Sequence, residues 1–132
     1  MLVLYVVLAI IVLAILFNWL YIRFYSKKLA GALSNEDFQN TMRKAQIIDL
    51  RGTDAFDQSH ILGARSIPYT QLKMSFAEMR PDLPVYLYAD GQSICVRAAR
   101  YLVSKKGFKN VKWLKKGYRD WEGKTKSSPK SY

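Results

Sequence analysis

With one cysteine and one histidine in 132 residues, the chain lacks the means for several kinds of chemistry. A lone Cys95 excludes an internal disulfide and fits a reducing compartment. His60 has neither a cysteine nor a second histidine at ligand spacing, so no metal site is expected, and no cofactor either. Acids are scarce as well: ten Asp or Glu stand against twenty-one Lys or Arg, for a net charge of +11. The imbalance is steepest from Arg97 to Tyr132, where twelve Lys or Arg meet only Asp120 and Glu122. A solvated basic face accounts for such an excess. Contact with an anionic membrane leaflet is a second account, at about 1 kcal/mol per cation near the surface, fading within a Debye length. No nucleic-acid reader motif accompanies the charge, so nucleic acid is not an expected partner. Internal repeats are absent too.

Charge is missing altogether from Met1 to Ile22, where Asn18 is the only strongly polar side chain. Twenty-two residues at about 1.5 Å each reach roughly 33 Å, enough for a hydrocarbon core of about 30 Å. Trp19 and Tyr21 fall where interfacial aromatics are usual, and Arg23, Lys27 and Lys28 follow. The pattern predicts a transmembrane helix at 1–22. A cleaved signal peptide is the rival, with Ala30-Gly31-Ala32 as a small-x-small site. Against it, the apolar run is longer than a signal core and no Lys or Arg precedes it. The basic flank lies wholly C-terminal, which places the globular part in the cytoplasm and the N-terminus outside, in a single-pass protein of the cell membrane. A basic juxtamembrane link at 23–32 leads to a folded domain at 33–123. The Lys- and Ser-rich tail at 124–132 reads as disordered.

Within the domain, strands alternate with helices. Ser34 with Asp37 three residues on resembles an N-cap, opening a helix whose buried stripe includes Phe38 and Met42. Gln46 to Arg51 and Val85 to Tyr88 are short apolar runs suited to strands buried on both faces. Ser66-Ile67-Pro68 reads as a brief strand, Thr70 to Arg80 as a helix, and Val111 to Leu114 as the last strand. Cys95, Ala98, Ala99 and Leu102 repeat at i, i+3, i+4 and i+7, a narrow stripe of small residues on a helix running from Ile94 to Lys106 and stopped by Gly107. The expected fold class is α/β: a small parallel five-stranded sheet flanked by helices, preceded by one transmembrane helix. Ala89-Asp90-Gly91-Gln92-Ser93 joins the most central strand to that helix. Such a loop gathers unpaired N–H groups around one point beyond the carboxyl end of the sheet.

These motifs resemble a rhodanese domain over about Leu29 to Gly123. Asp49-Leu50-Arg51 matches the family's D-x-R. His60-Ile61-Leu62-Gly63-Ala64-Arg65-Ser66-Ile67-Pro68 matches its H-I-x-G-A-x-x-I-P signature, and Gly117 with Trp121 matches its closing G-x-x-x-W. The resemblance implies a loop that begins with a cysteine, whose thiolate takes sulfane sulfur from a donor such as thiosulfate and passes it on. Surrounding N–H dipoles would lower the pKa of that thiol. Here the nucleophile position falls on Ala89, and a methyl group cannot ionise or carry sulfur. Asp90 puts a carboxylate where an anionic donor would sit, or simply a favourable charge at a helix N-terminus. Lys116 replaces the first of two glycines common in the family.

The active-site-like loop is thus Ala89, Asp90, Gly91, Gln92, Ser93, Ile94 and Cys95, with no catalytic residue assigned. Cys95, at the first turn of the helix, is the alternative nucleophile; a small buried apolar residue is the reading its place on the stripe favours. Cys95 and Arg100 are both helical, so no loop between them can wrap a phosphate. For His60 a hydrogen-bonded structural role is expected, for Asp49 and Arg51 an internal ion pair or loop bracing, and for Trp121 packing. Gly63, Ala64 and Pro68 complete the family motif. The expectation is a membrane-anchored rhodanese-like domain without thiosulfate sulfurtransferase activity, acting as a binding or regulatory module with a protein partner near the membrane. Two alternatives stand beside it: a sulfurtransferase or sulfur carrier using Cys95, and a basic membrane-surface tether.

Overall fold

The computed structural model describes residues 1–29 and 31–127, and side chains of residues 25–29 are left aside. The first element is α1 (Leu2–Leu29). It is apolar and long enough to cross a membrane from Leu2 to Phe24, a stretch of 23 residues with mean hydropathy 2.8. The boundary expected at residue 22 is not a break: the helix continues to Leu29, through most of the segment read as a link. No Pro or Gly interrupts the helical backbone before Gly31. Ala30 of the candidate cleavage site lies outside the described residues.

The sheet follows. Its strands are β1 (Ala32–Leu33), β2 (Gln46–Asp49), β4 (Arg65–Ser66), β5 (Val85–Tyr88) and β6 (Val111–Leu114), all parallel, in the order β1-β6-β5-β2-β4. Helices α2 (Asn35–Thr41), α3 (Thr53–Gln58), α4 (Leu72–Ser75) and α5 (Gln92–Lys106) supply connections. This is the α/β class with five parallel strands that the alternation of elements predicts. The Ser34 side chain caps α2 by accepting from the Asp37 N–H at 3.2 Å. Gly107 closes α5 in the left-handed conformation, φ 73°, where a side chain would be strained.

Period-two alternation decides what each strand offers to each face. Val85, Leu87 and Ala89 point toward α5, joining Ile48, Leu50, Trp113 and the helix stripe Cys95, Ala98, Ala99 and Leu102. Tyr86 and Tyr88 point the other way, with Ile47, Leu114 and Phe38 of α2. Ala98, Ala99 and Leu102 are fully buried, and the small size of the two alanines is what lets α5 lie close on the sheet.

Three expectations differ from the structure. The helix expected over Thr70 to Arg80 is three pieces: a 3-10 turn at Tyr69–Gln71, then α4, then a second 3-10 turn at Phe76–Glu78. Of Leu72, Phe76 and Met79, the apolar residues at helical spacing that suggested the helix, only Leu72 and Met79 are buried, too little to hold one continuous helix on the sheet. The brief strand at Ser66–Pro68 is shifted to Arg65–Ser66. Finally, the tail is not wholly irregular. Residues Thr125–Lys126 form β7, antiparallel to β3 (His60–Ile61) in a separate two-stranded ribbon. The rest of the expected disordered tail, 128–132, lies outside the described residues.

Candidate functional site

The loop after β5 is shorter than expected. Gly91 is the N-cap of α5, so Gln92, Ser93, Ile94 and Cys95 already belong to the helix, and the loop proper is Ala89, Asp90 and Gly91. No side chain caps α5, which leaves its first-turn N–H groups directed out of the helix beyond the sheet's carboxyl edge. Ala89 sits at the base of this turn, 1 % exposed, its methyl turned into the core beside α5. Asp90 and Gly91 are exposed.

The turn after β6 holds the loop in place. The Tyr118 N–H donates to the Ala89 carbonyl at 2.9 Å. Gly117 takes φ 87° and ψ 171°, and a Cβ there would lie 2.4 Å from the Asp90 carbonyl oxygen. Both the backbone angle and the close approach require glycine. From below, Trp113 on β6 donates its indole N–H to the Gln92 side-chain oxygen at 3.0 Å, tying the first residue of α5 to the sheet. Lys116 is exposed and lines a surface cleft with Asn35 and Arg119.

Cys95 is completely buried on the α5 stripe, and burial pushes its thiol well above the ordinary range, with the Asp49 carboxylate adding to the shift. Its sulfur lies 3.8 Å from the Gly91 carbonyl oxygen. A thiol in that setting is protonated and shielded, the opposite of what a sulfur-transfer nucleophile needs.

Asp49 and Arg51 lie at the end of β2. The Asp49 carboxylate has no exposure and accepts from the Arg51 guanidinium at 2.7 Å and from the Arg51 backbone N–H at 2.8 Å. Arg51 also donates to the Ser59 carbonyl at 2.6 Å and stacks over the Tyr118 ring, 4.1 Å from its centroid. The Tyr88 hydroxyl accepts from the Ile61 N–H at 3.1 Å, and burial pushes the phenol above its usual range. Ser59 shares a short hydrogen bond with the Tyr118 hydroxyl. The pair therefore braces three segments at once, the β2 end, the α3–β3 turn and the turn after β6. Ser59, Tyr88 and Tyr118 are the partners that sequence reasoning did not name. Only Tyr118's place beside Gly117 hinted at them, since hydrogen bonds across 59 residues leave no periodic trace.

His60 is buried, stacked on Phe56 at 3.7 Å between ring centroids, with its Nδ1 2.7 Å from the Phe56 carbonyl oxygen. Gly63 takes φ 90° in the turn between β3 and β4, and the Ala64 N–H closes that turn onto the Ile61 carbonyl at 2.9 Å. Pro68 opens the first 3-10 turn. Trp121 packs edge-on against Phe38 at 5.3 Å. These signature residues thus serve the shape of the loops around the β5–α5 connection.

Fold and site together define a small parallel α/β domain whose distinguishing feature is a strand-to-helix loop braced from two sides. The family model for the rhodanese-like domain matches residues 34–124, and the chain belongs to that family. Among curated proteins, the uncharacterized protein YqhL of Bacillus subtilis is 43% identical over 103 residues, covering 78% of this chain and 81% of that protein. The putative sulfur carrier protein YrkF of the same organism is 32% identical over 79 residues, 60% of this chain but only 42% of the relative's length. Among solved structures, the Alr3790 protein of Anabaena superposes with a TM-score of 0.65 at 23% identity, over 72% of this chain and 80% of that one, and shows the shared fold. A thiosulfate sulfurtransferase from Pseudomonas aeruginosa superposes with a TM-score of 0.64 at 26% identity, over 74% of this chain and 20% of that one.

Proposed function

We propose that this chain is a membrane-anchored rhodanese-like domain that does not transfer sulfur from thiosulfate and serves as a binding or regulatory module on the cytoplasmic side. One observation carries the reading. The first loop position after β5, where the rhodanese family carries its cysteine, holds Ala89, whose side chain is a buried methyl. Backbone dipoles can stabilise a thiolate or a persulfide, but they supply no nucleophile of their own. The burial of Cys95 and its raised pKa weigh against the second sulfur as a substitute. The span from Leu2 to Phe24, with Arg23 at its end and Lys27 and Lys28 beyond it, supports the anchor and its orientation.

The test is direct. The full chain in detergent is incubated with thiosulfate and cyanide, thiocyanate is measured, and the intact mass is checked for an added sulfur atom. The expected result is background thiocyanate and an unchanged mass, with Cys95→Ser indistinguishable from the parent. Turnover that Cys95→Ser abolishes would instead establish a sulfurtransferase. Ala89→Cys is expected to raise thiocyanate above background, because the new sulfur meets the α5 N-terminus.

A further inference from the structure

The end of α1 does not stand clear of the domain. Asn18 accepts from the Arg97 guanidinium at 2.7 Å, and the Tyr21 hydroxyl accepts from Arg100 at 2.6 Å. Arg97 also stacks on the Tyr21 ring at 4.7 Å, and Ile22 packs against the core. Both arginines belong to α5, where Arg97, Arg100, Tyr101, Ser104 and Lys105 repeat at helical spacing on the face away from the sheet.

Between these two helices and the segment Tyr69 to Lys73 opens a cleft of about 510 Å³. Among the described residues its lining holds four cations, Lys73, Arg97, Arg100 and Lys105, three tyrosines, and no carboxylate. Asn18 and Tyr21 present an amide and a phenol to the arginines, both neutral hydrogen-bond acceptors. Four like charges around one hollow repel each other, and an anion seated among them relieves that repulsion.

The depth of the cleft follows from the helix. From Leu2 to Asn18 the rise is roughly 24 Å, and to Tyr21 roughly 28 Å. A hydrocarbon core of about 30 Å therefore ends near Tyr21, the residue that lines the cleft. Trp19, with Arg23 stacked over its ring at 5.2 Å, marks the same level. Arg100, bonded to Tyr21, thus lies at the border of the headgroup layer, with Arg97 roughly one helical turn nearer the hydrocarbon, at the depth where a bilayer presents its lipid phosphates.

We infer that the cleft between α1 and α5 binds the phosphate of an anionic lipid headgroup, so that the domain is docked on the bilayer in a set pose. Arg97 and Arg100 supply planar donors for the phosphate oxygens, Lys73 and Lys105 supply point charges, and the Ser104 hydroxyl lies within the same lining. The inference rests on the anchored reading above and adds to it a ligand class and a site.

The experiment uses the full chain in detergent with equal amounts of phosphatidylglycerol and phosphatidylcholine, and counts retained lipid by native mass spectrometry. The chain is expected to keep phosphatidylglycerol preferentially. Arg97→Gln/Arg100→Gln should lower the preference by roughly tenfold or more, at about fivefold per cation near a membrane surface. Lys73→Gln, on a separate segment, should lower it by roughly fivefold. Lys112→Gln/Lys115→Gln removes the same charge from β6 and its turn and should leave the preference as it was. Equal loss in this control, or no preference in the parent, overturns the site. Inorganic phosphate that displaces the lipid at comparable concentration overturns the lipid as the source and leaves a soluble phosphate ligand. Alkaline carbonate extraction of the chain from membranes tests the anchor separately: release would overturn the anchored reading while the lipid count still reports on the cleft.

Discussion

At the scale of single residues, the braced carboxylate is the most exacting feature. Asp49 is wholly buried, and its charge is tolerated because Arg51 supplies both a side-chain and a backbone donor. Removing the cation leaves a buried charge with no compensation, which costs about 3–5 kcal/mol. Arg51→Met is therefore expected to lower the urea midpoint sharply, with Asp49→Asn/Arg51→Met recovering part of the loss. Two other buried groups set an alkaline limit. The thiol of Cys95 and the phenol of Tyr88 are both raised by burial above their ordinary values of 9.0 and 10.0. The unfolded chain ionises at the ordinary values while the folded chain does not. Their contribution is thus complete below about pH 9 and is lost as pH rises beyond it. Urea unfolding across that range should show the decline, and iodoacetamide should label Cys95 readily only once the chain is unfolded. At this scale the sequence was informative about identity and about the one pairing close in the chain, Asp49 with Arg51, and silent about distant partners. Ala89 could be placed by counting back from Arg97-Ala98-Ala99, yet nothing in the order of residues joins Ser59 to Tyr118.

At the scale of elements, helices with a continuous buried stripe were legible and those without one were not. The spacing of Cys95, Ala98, Ala99 and Leu102 located α5 to within two residues of its start, whereas the mixed face of Thr70 to Arg80 concealed two 3-10 turns. Two-residue strands such as β3 and β7 carry no period at all, so the ribbon they form could not be read beforehand. The turn after β6 yields a paired prediction. Gly117→Ala meets both an unfavourable backbone angle and the Asp90 carbonyl, whereas at Gly63, with φ 90°, an added methyl meets nothing within 4 Å. Gly63→Ala should cost about 1–2 kcal/mol from backbone strain alone, and Gly117→Ala clearly more. Denaturant curves of the two variants measure the difference, which is the contribution of the close approach to the loop.

At the scale of the whole molecule, the apolar N-terminal helix and the basic C-terminal half appear in the sequence as separate features, and the structure joins them through Arg97 and Arg100. A basic link was expected at 23–32 because Arg23, Lys27 and Lys28 end the uncharged run; charge alone does not end a helix, and α1 runs on to Leu29. Replacing Asn18 with Leu removes one acceptor from that junction. The variant is expected to stay in the carbonate-resistant fraction while Lys-C or trypsin cuts near the junction faster, since less holds the two helices together.

The strand order has a consequence for how this chain comes into being. Ala32 and Leu33 pair with Trp113 and Leu114, partners some eighty positions further along. The edge nearest α1 therefore stays open throughout synthesis of everything between, and the sheet is complete only after Leu114 has left the ribosome. A nascent chain would wait with that edge uncovered, its assembly timed by the last of the five strands to emerge.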